Sequence, residues 1–260
     1  MPRAALVATL ILVPWLTLGP RPVQAQVMRE LGPVALEYSI YFQDQSKAPV
    51  GAAAISFEPI ETRRGRRLQV KSHIEYTLTE HREEPFHYLE EATLVCDEKG
   101  VTSFETSAQA IGKERVNSAL RSGDEFHVTT TFEGERHTRS IPAGVSTTNF
   151  GLFCGGYLDV PLNEGPMFED YPILYPVGGE HQARQRYREA ILPIGLAADH
   201  TVPALVTRLR RKNDANDRLW NSANELEILL RMEESSNLGT FIYILNTVNG
   251  IPVTESELIE

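Results

Sequence analysis

The chain predicts an all-β protein, mainly antiparallel, folded as a strongly curved meander sheet or an incomplete barrel, with room for one short helix. Two observations predict it. Apolar and polar side chains alternate through most of the chain, as in strands with one buried face. Turn-forming clusters recur every ~8–12 residues between these segments, the spacing of an antiparallel meander.

Residues 1–25 read as an export signal. Arg3 gives a positive start, Ala4 to Leu18 is apolar apart from Pro14 and two threonines, and Val23-Gln24-Ala25 offers small residues for cleavage. That run is shorter than the roughly 20 apolar residues that span a bilayer. Cleavage after Ala25 is therefore expected rather than retention as an anchor. The product is one β domain over residues 26–260, periplasmic or secreted and not an integral membrane protein.

The first strand places Val34, Leu36, Tyr38, Ile40 and Phe42 on one face. Val50 to Phe57 follows, with Gly51, Ala53, Ile55 and Phe57 together. After the charged turn Arg63-Arg64-Gly65-Arg66-Arg67, the next strand turns Leu68, Val70, Ile74, Tyr76 and Leu78 inward. Phe86, Tyr88, Ala92, Leu94 and Cys96 continue the pattern. Asp97 to Gly100 then makes a turn that ends on the residue most tolerant of positive φ. Val101 to Ala110, Glu114 to Leu120, Phe126 to Phe132 and Arg136 to Ile141 are weaker strands.

Between Pro142 and Gly179 the rhythm stops, and prolines, glycines and aromatics crowd together. A long aperiodic stretch in a compact domain is usually functional or a linker. Its large apolar groups predict a packed crossing segment that covers an open face of the sheet. His181 to Leu192 fits two readings: Ala183, Tyr187, Ala190 and Ile191 have helical spacing, yet Pro193, Gly195 and the flanks suit strands. Val202 to Leu209, Leu219-Trp220, Leu226 to Met232 and Thr240 to Val248 complete a second strand set. Thr254 to Glu260 reads as an acidic, frayed tail.

Formal net charge is −10, and loss of the signal with Arg3 and Arg21 makes it more negative. That sign disfavours nucleic acid as the primary partner. Cys96 and Cys154 are the only cysteines, and neither lies at the cleavage site. In an oxidising compartment such a pair is most simply a disulfide, worth about 4 kcal/mol in the chain-entropy model. The plain alternative is two unrelated buried thiols. No Cys-x-x-Cys redox spacing exists.

Several short motifs resemble a group of exported bacterial proteins of unknown function. They are Tyr38-Ser39-Ile40-Tyr41-Phe42 with Val50-Gly51, the Glu-bearing strand and Gly turn from Tyr88 to Gly100, and Leu219-Trp220-Asn221-Ser222 through Met232. The resemblance covers most of the chain beyond residue 25. It implies a curved antiparallel sheet similar to the half barrel of the LolA and LolB lipoprotein carriers, and no catalytic residue. The Pro142–Gly179 insert and the Arg63–Arg67 turn depart from that pattern.

Motifs for catalysis or cofactors are missing: there is no Gly-x-Ser-x-Gly elbow, His-Glu-x-x-His helix, phosphate loop or dinucleotide fingerprint. No cofactor and no metal site are expected. His73, His81 and His87 cluster with several glutamates, but a solvated sheet face explains them better than metal ligation. The pairs Glu83-Glu84, Glu90-Glu91 and Glu233-Glu234 invite a two-carboxylate glycosidase reading. Adjacent strand residues face opposite ways, so no pair forms such a site alone, and solvated charge is expected. Arg63 to Arg67 and Arg208, Arg210, Arg211 and Lys212 suit either acidic groups or a charged, aggregation-resistant edge.

Tyr38, Ile40, Phe42, Ile74, Tyr76, Leu78, Tyr88 and Leu94 are the candidate ligand-lining residues, because all fall on the inner face. They line either a packed core or a cleft for an apolar ligand. Three functions follow in order. The first is non-catalytic binding of a lipid, lipoprotein or hydrophobic peptide. The second is an envelope module that docks a protein partner, and the third is an enzyme with a dispersed active site.

Overall fold

The computed structural model describes residues 32–43, 48–63, 65–79, 84–97, 100–143, 147–154, 168–170, 173–197, 200–211, 216–224 and 226–259. The expected signal segment with the cleavage point predicted after Ala25, His81, Arg64 and Lys212 lie outside them.

Two meanders make one sheet. The first runs through β1 (Val34–Phe42), β2 (Gly51–Thr62), β3 (Gly65–Leu78), β4 (Phe86–Asp97), β5 (Gly100–Ala110), β6 (Lys113–Ser122), β7 (Glu125–Phe132) and β8 (Glu135–Pro142). The small strands β9 (Thr147–Thr148), β10 (Phe168–Asp170), β11 (Ile173–Tyr175) and β12 (Glu180–Gln182) follow. The second meander is β13 (Arg184–Ala197), β14 (His200–Arg211), β15 (Asn216–Ser222), β16 (Leu229–Ser236) and β17 (Gly239–Val248), with β18 (Ile251–Pro252) hairpinned onto it. Antiparallel pairing of β1 with β17 joins the halves, so the sheet runs from β10 through β13–β17 and β1 to β8. Its ends, β8 and β10, do not pair, and the curved sheet stays open.

The buried face follows the two-residue rhythm. Val34, Leu36, Tyr38 and Ile40 are all buried along β1, and Leu68, Val70, Ile74, Tyr76 and Leu78 along β3. Register shifts at Glu37/Tyr38, Val95/Cys96, Arg188/Ala190 and Trp220/Asn221 interrupt the ladders. Such bulges bend and twist a strand, and here they help curl the sheet around its apolar side. Gly51 lies against Tyr76 in the β2–β3 ladder, where an added Cβ would come within 2.1 Å of the Glu75 carbonyl oxygen. Gly51→Ala should therefore force the strands apart and cost about 1–3 kcal/mol. An unchanged urea midpoint would contradict this close approach.

One open reading is decided, and two local expectations need correction. His181 to Leu192 holds no helix; it forms β12 and most of β13, whose twelve pairs with β14 outweigh the local helical preference. The tail is not frayed: Val253 and Ile259 are buried in two 3-10 turns, and Asn224 Nδ2 donates to the Leu258 carbonyl at 2.8 Å. The expected Cys96–Cys154 disulfide is not formed. Cys96 is in β4, whereas Cys154 bridges to Ile228 beside β16, with β17, β1, β2 and β3 between them in strand order. Burial pushes the Cys96 thiol up to about 12, and Cys154 Sγ donates to the Leu226 carbonyl at 3.3 Å.

The described parts of the 142–179 insert cross between the two meanders. On one side Asn221 Nδ2 donates to Leu152 O at 3.0 Å, and Leu229 N donates to Phe153 O at 2.9 Å. On the other, Asn117 Nδ2 reaches Val177 O at 2.5 Å, and Arg139 Nη2 reaches Gly178 O and Gly179 O at 3.1 and 2.9 Å. Backbone carbonyls of an aperiodic segment need such partners when buried. The parallel pair β9·β11 and β12 form a separate three-stranded sheet within this region.

Candidate functional site

Where the insert meets the sheet, a cleft of about 380 Å³ remains. Strands β3 and β4 supply Ile74, Tyr76, Tyr88 and Glu90, and β17 supplies Phe241 and Tyr243. Facing contributions come from Arg184 on β13, Arg211 on β14, Asp217 on β15 and Glu234 on β16. The insert adds Phe153, Ile173 and Tyr175.

The aromatic wall is continuous. The Tyr76 ring lies 4.9 Å from Tyr88 in a stacked arrangement and 4.7 Å from Phe241. Beside it stands an ion-pair network. Asp217 takes Arg211 Nη2 on both oxygens at 3.0 Å, and Arg184 Nη1 lies 3.3 Å from its Oδ2. Arg211 also donates to Glu234 at 3.2 Å, and Arg184 Nη2 to Gln182 at 2.6 Å.

Burial decides the electrostatics. Glu90 is 3% exposed and its carboxyl is pushed up to about 7, chiefly by desolvation. The Tyr88 hydroxyl, donating to Glu90 Oε2 at 2.5 Å, works against that rise, while the Glu234 charge adds to it. Burial also raises the Glu234 carboxyl, with Asp217 adding and Arg211 opposing, although a third of that side chain stays accessible along the cleft. Arg184 is lowered, first by burial and then by Arg211. For Arg211, Asp217 and Glu234 together outweigh the burial that works against its charge, and it is raised. Tyr175 and Tyr243 are raised by burial.

Polar groups in this wall are left unsatisfied. Arg184 Nε and Glu90 Oε1 are buried and make no hydrogen bond, and Arg184 Nη1 has only its 3.3 Å ion pair with Asp217. Arg184 as a residue is 8% exposed. A buried polar atom without a partner costs about 1–3 kcal/mol, so each such atom asks for an explanation.

Of the residues expected to line a ligand site, Ile74, Tyr76 and Tyr88 front the cleft. Tyr38, Ile40, Leu78 and Leu94 sit in the packed core; the Tyr38 hydroxyl is satisfied by Leu229 O at 2.9 Å. Phe42 is half-buried with its ring 5.1 Å from Phe241. His73 and His87 lie on the outer face: His73 Nδ1 is 3.4 Å from Glu91, and His87 Nε2 is 3.7 Å from Glu75. Among the described residues, no three His, Cys, Asp or Glu side chains converge as a metal would need. Arg63, Arg66 and Arg67 stay at the β2–β3 turn, away from the cleft.

Sequence reasoning missed Glu90, Arg184, Arg211, Asp217 and Glu234. It took Glu90 and Glu234 as solvated and Arg211 as edge charge. Each is corrected by parity: Glu90 shares the inner face of Tyr88 and Ala92, and Glu234 that of Leu230 and Met232. Asp217 shares that of Leu219, and Arg211 that of Leu209. Glu91 does point outward, with 63% of its side chain exposed.

The fold has a solved counterpart. The chain is similar to a β-barrel-like protein of domain of unknown function DUF1849 from Brucella abortus, with a TM-score of 0.60. Identity is 10%, and the match covers 84% of this chain and 97% of that one. At that identity the likeness shows the curved β fold alone. No protein-family model matches the chain, and no curated protein matches it. Among the described residues, no helix is long and apolar enough to cross a membrane.

Proposed function

We propose that this chain is an exported, non-catalytic binding protein that holds an amphipathic ligand within the curve of its sheet. One observation carries this reading: Arg184 and Glu90 line a cleft, and the buried Arg184 Nε and Glu90 Oε1 make no hydrogen bond. The aromatic wall of Tyr76, Tyr88 and Phe241 takes an apolar portion, and the unsatisfied groups take a polar end. The cleft falls within the ~300–1,000 Å³ range of small-molecule sites. The motif resemblance described above implies a half barrel like that of the LolA and LolB lipoprotein carriers, and a ligand within the curve of the sheet fits that expectation. The signal-like residues 1–25 support a periplasmic or secreted product.

Native mass spectrometry of protein purified from the envelope tests both parts. The expected species begins at Gln26 and carries a non-covalent adduct of lipid or small-molecule mass. Protein that keeps residues 1–25, or that is always bare and gains nothing from an envelope extract, would overturn the reading.

Glu90 favours a second reading, an enzyme with a dispersed site. A carboxyl near 7 beside a tyrosine is poised for general acid–base work. Turnover of a bound ligand that stops in Glu90→Gln, with binding intact, would select it.

A further inference from the structure

We infer that the polar end of the cleft is shaped for a neutral, hydroxyl-bearing head: a sugar ring, free or carried on an acyl chain. The inference rests on the binding reading above and narrows its ligand.

Charge is the first argument. The guanidiniums of Arg184 and Arg211 already face Asp217 and Glu234, and Glu90 lies in the same wall. With Glu90 protonated, the two guanidiniums balance the Asp217 and Glu234 carboxylates, and an anionic head would add an unmatched negative charge. A cationic head would meet two guanidiniums. Buried charge without a partner is costly in either case, whereas a neutral head disturbs no balance.

Hydrogen-bonding capacity is the second. Arg184 Nε can only donate, and the Glu90 carboxyl, which keeps its proton up to about pH 7, can donate or accept at Oε1. Tyr175 and Tyr243 line the same cleft with hydroxyls that do either. The head must therefore offer donors and acceptors side by side. Neighbouring sugar hydroxyls do this, since each is one donor and two acceptors.

Shape is the third. The C–H face of a sugar ring is apolar and flat enough to lie on aromatic rings, and the cleft pairs its polar groups with the Tyr76–Tyr88–Phe241 wall. At about 380 Å³ the cleft is near the small end of ligand sites. It suits one or two rings, with any long chain continuing outward.

The test compares heads on one tail. Purified wild-type protein is titrated by calorimetry with octyl glucoside below its micellar concentration, octanoate, octylamine and free maltose. Octyl glucoside should bind at least tenfold more tightly than octanoate and octylamine. Binding of maltose at similar strength makes a free saccharide the ligand, and binding of the glucoside alone makes it a glycolipid-type head; both support the inference. Octanoate or octylamine equal to or tighter than the glucoside overturns it while leaving the binding reading intact. If none of the four binds, both fall. Arg184→Met should weaken the glucoside about tenfold and leave octylamine no weaker; the wild-type comparison decides the matter even if that variant does not fold.

Discussion

Asp217→Ala should lower the stability of this protein by about 3–5 kcal/mol, the cost of leaving buried charge uncompensated. The side chain is 7% exposed and answers two guanidiniums, Arg184 and Arg211, while its Oδ1 also accepts the Ser235 amide at 3.2 Å. Arg211 keeps Glu234 after the substitution, so most of the cost falls on Arg184, which retains only Gln182. Urea unfolding of wild type and variant measures the difference. A loss below about 1 kcal/mol would mean that the network is hydrated rather than buried. Arg184→Met combined with Asp217→Leu should recover much of the loss, because an apolar pair of similar volume asks for no partner.

Glu90→Gln is expected to act in the opposite direction, and only above acidic pH. In the unfolded chain this carboxyl ionises near its ordinary 4.5, and in the folded protein near 7. Between those values the folded protein keeps a proton that the unfolded chain has released. The group's contribution is therefore complete below about 4.5 and is lost as pH rises to about 7. The gap corresponds to about 3 kcal/mol. Glutamine cannot ionise but can still accept the Tyr88 hydroxyl. Wild type and variant should have similar stability near pH 4.5, and the variant should be more stable by roughly 3 kcal/mol at pH 8. Parallel stability curves across that range would refute the assignment.

Much of the architecture could be read from residue order alone, since strands β1 to β4 keep a two-residue rhythm and the weaker β5 to β8 are set off by recognisable turns. Gly100, with φ of +97°, stands where the turn after Asp97 was expected to end. The site was harder to read because its residues are of surface type. Glu90 interrupts the stripe from Phe86 to Cys96, and a reader who sorts by residue type passes over it, although its parity places it inside. Arg184 and Arg186 are both buried and two apart on β13. That period contradicts a helix, but Ala183, Tyr187, Ala190 and Ile191 carried the competing signal. The path of the insert had no periodic signature at all, since isolated side-chain bonds from Asn117, Arg139 and Asn221 fix it. Ile259 was hidden by the acidic residues that flank it.

The seam between β1 and β17 pairs Leu36 with Val248 and Phe42 with Phe241. One end of the domain thus waits for the other before the centre of its sheet exists. Contacts so distant in sequence must overcome a large loop-closure entropy, and such topologies fold slowly. If the chain crosses a membrane amino end first, β1 emerges with one ladder open until the last strands arrive. During that interval Leu36, Tyr38 and Ile40 lie along an unzipped border, a site where neighbouring chains can stick. Escape from that fate depends on how fast the border closes or on a chaperone that shields it.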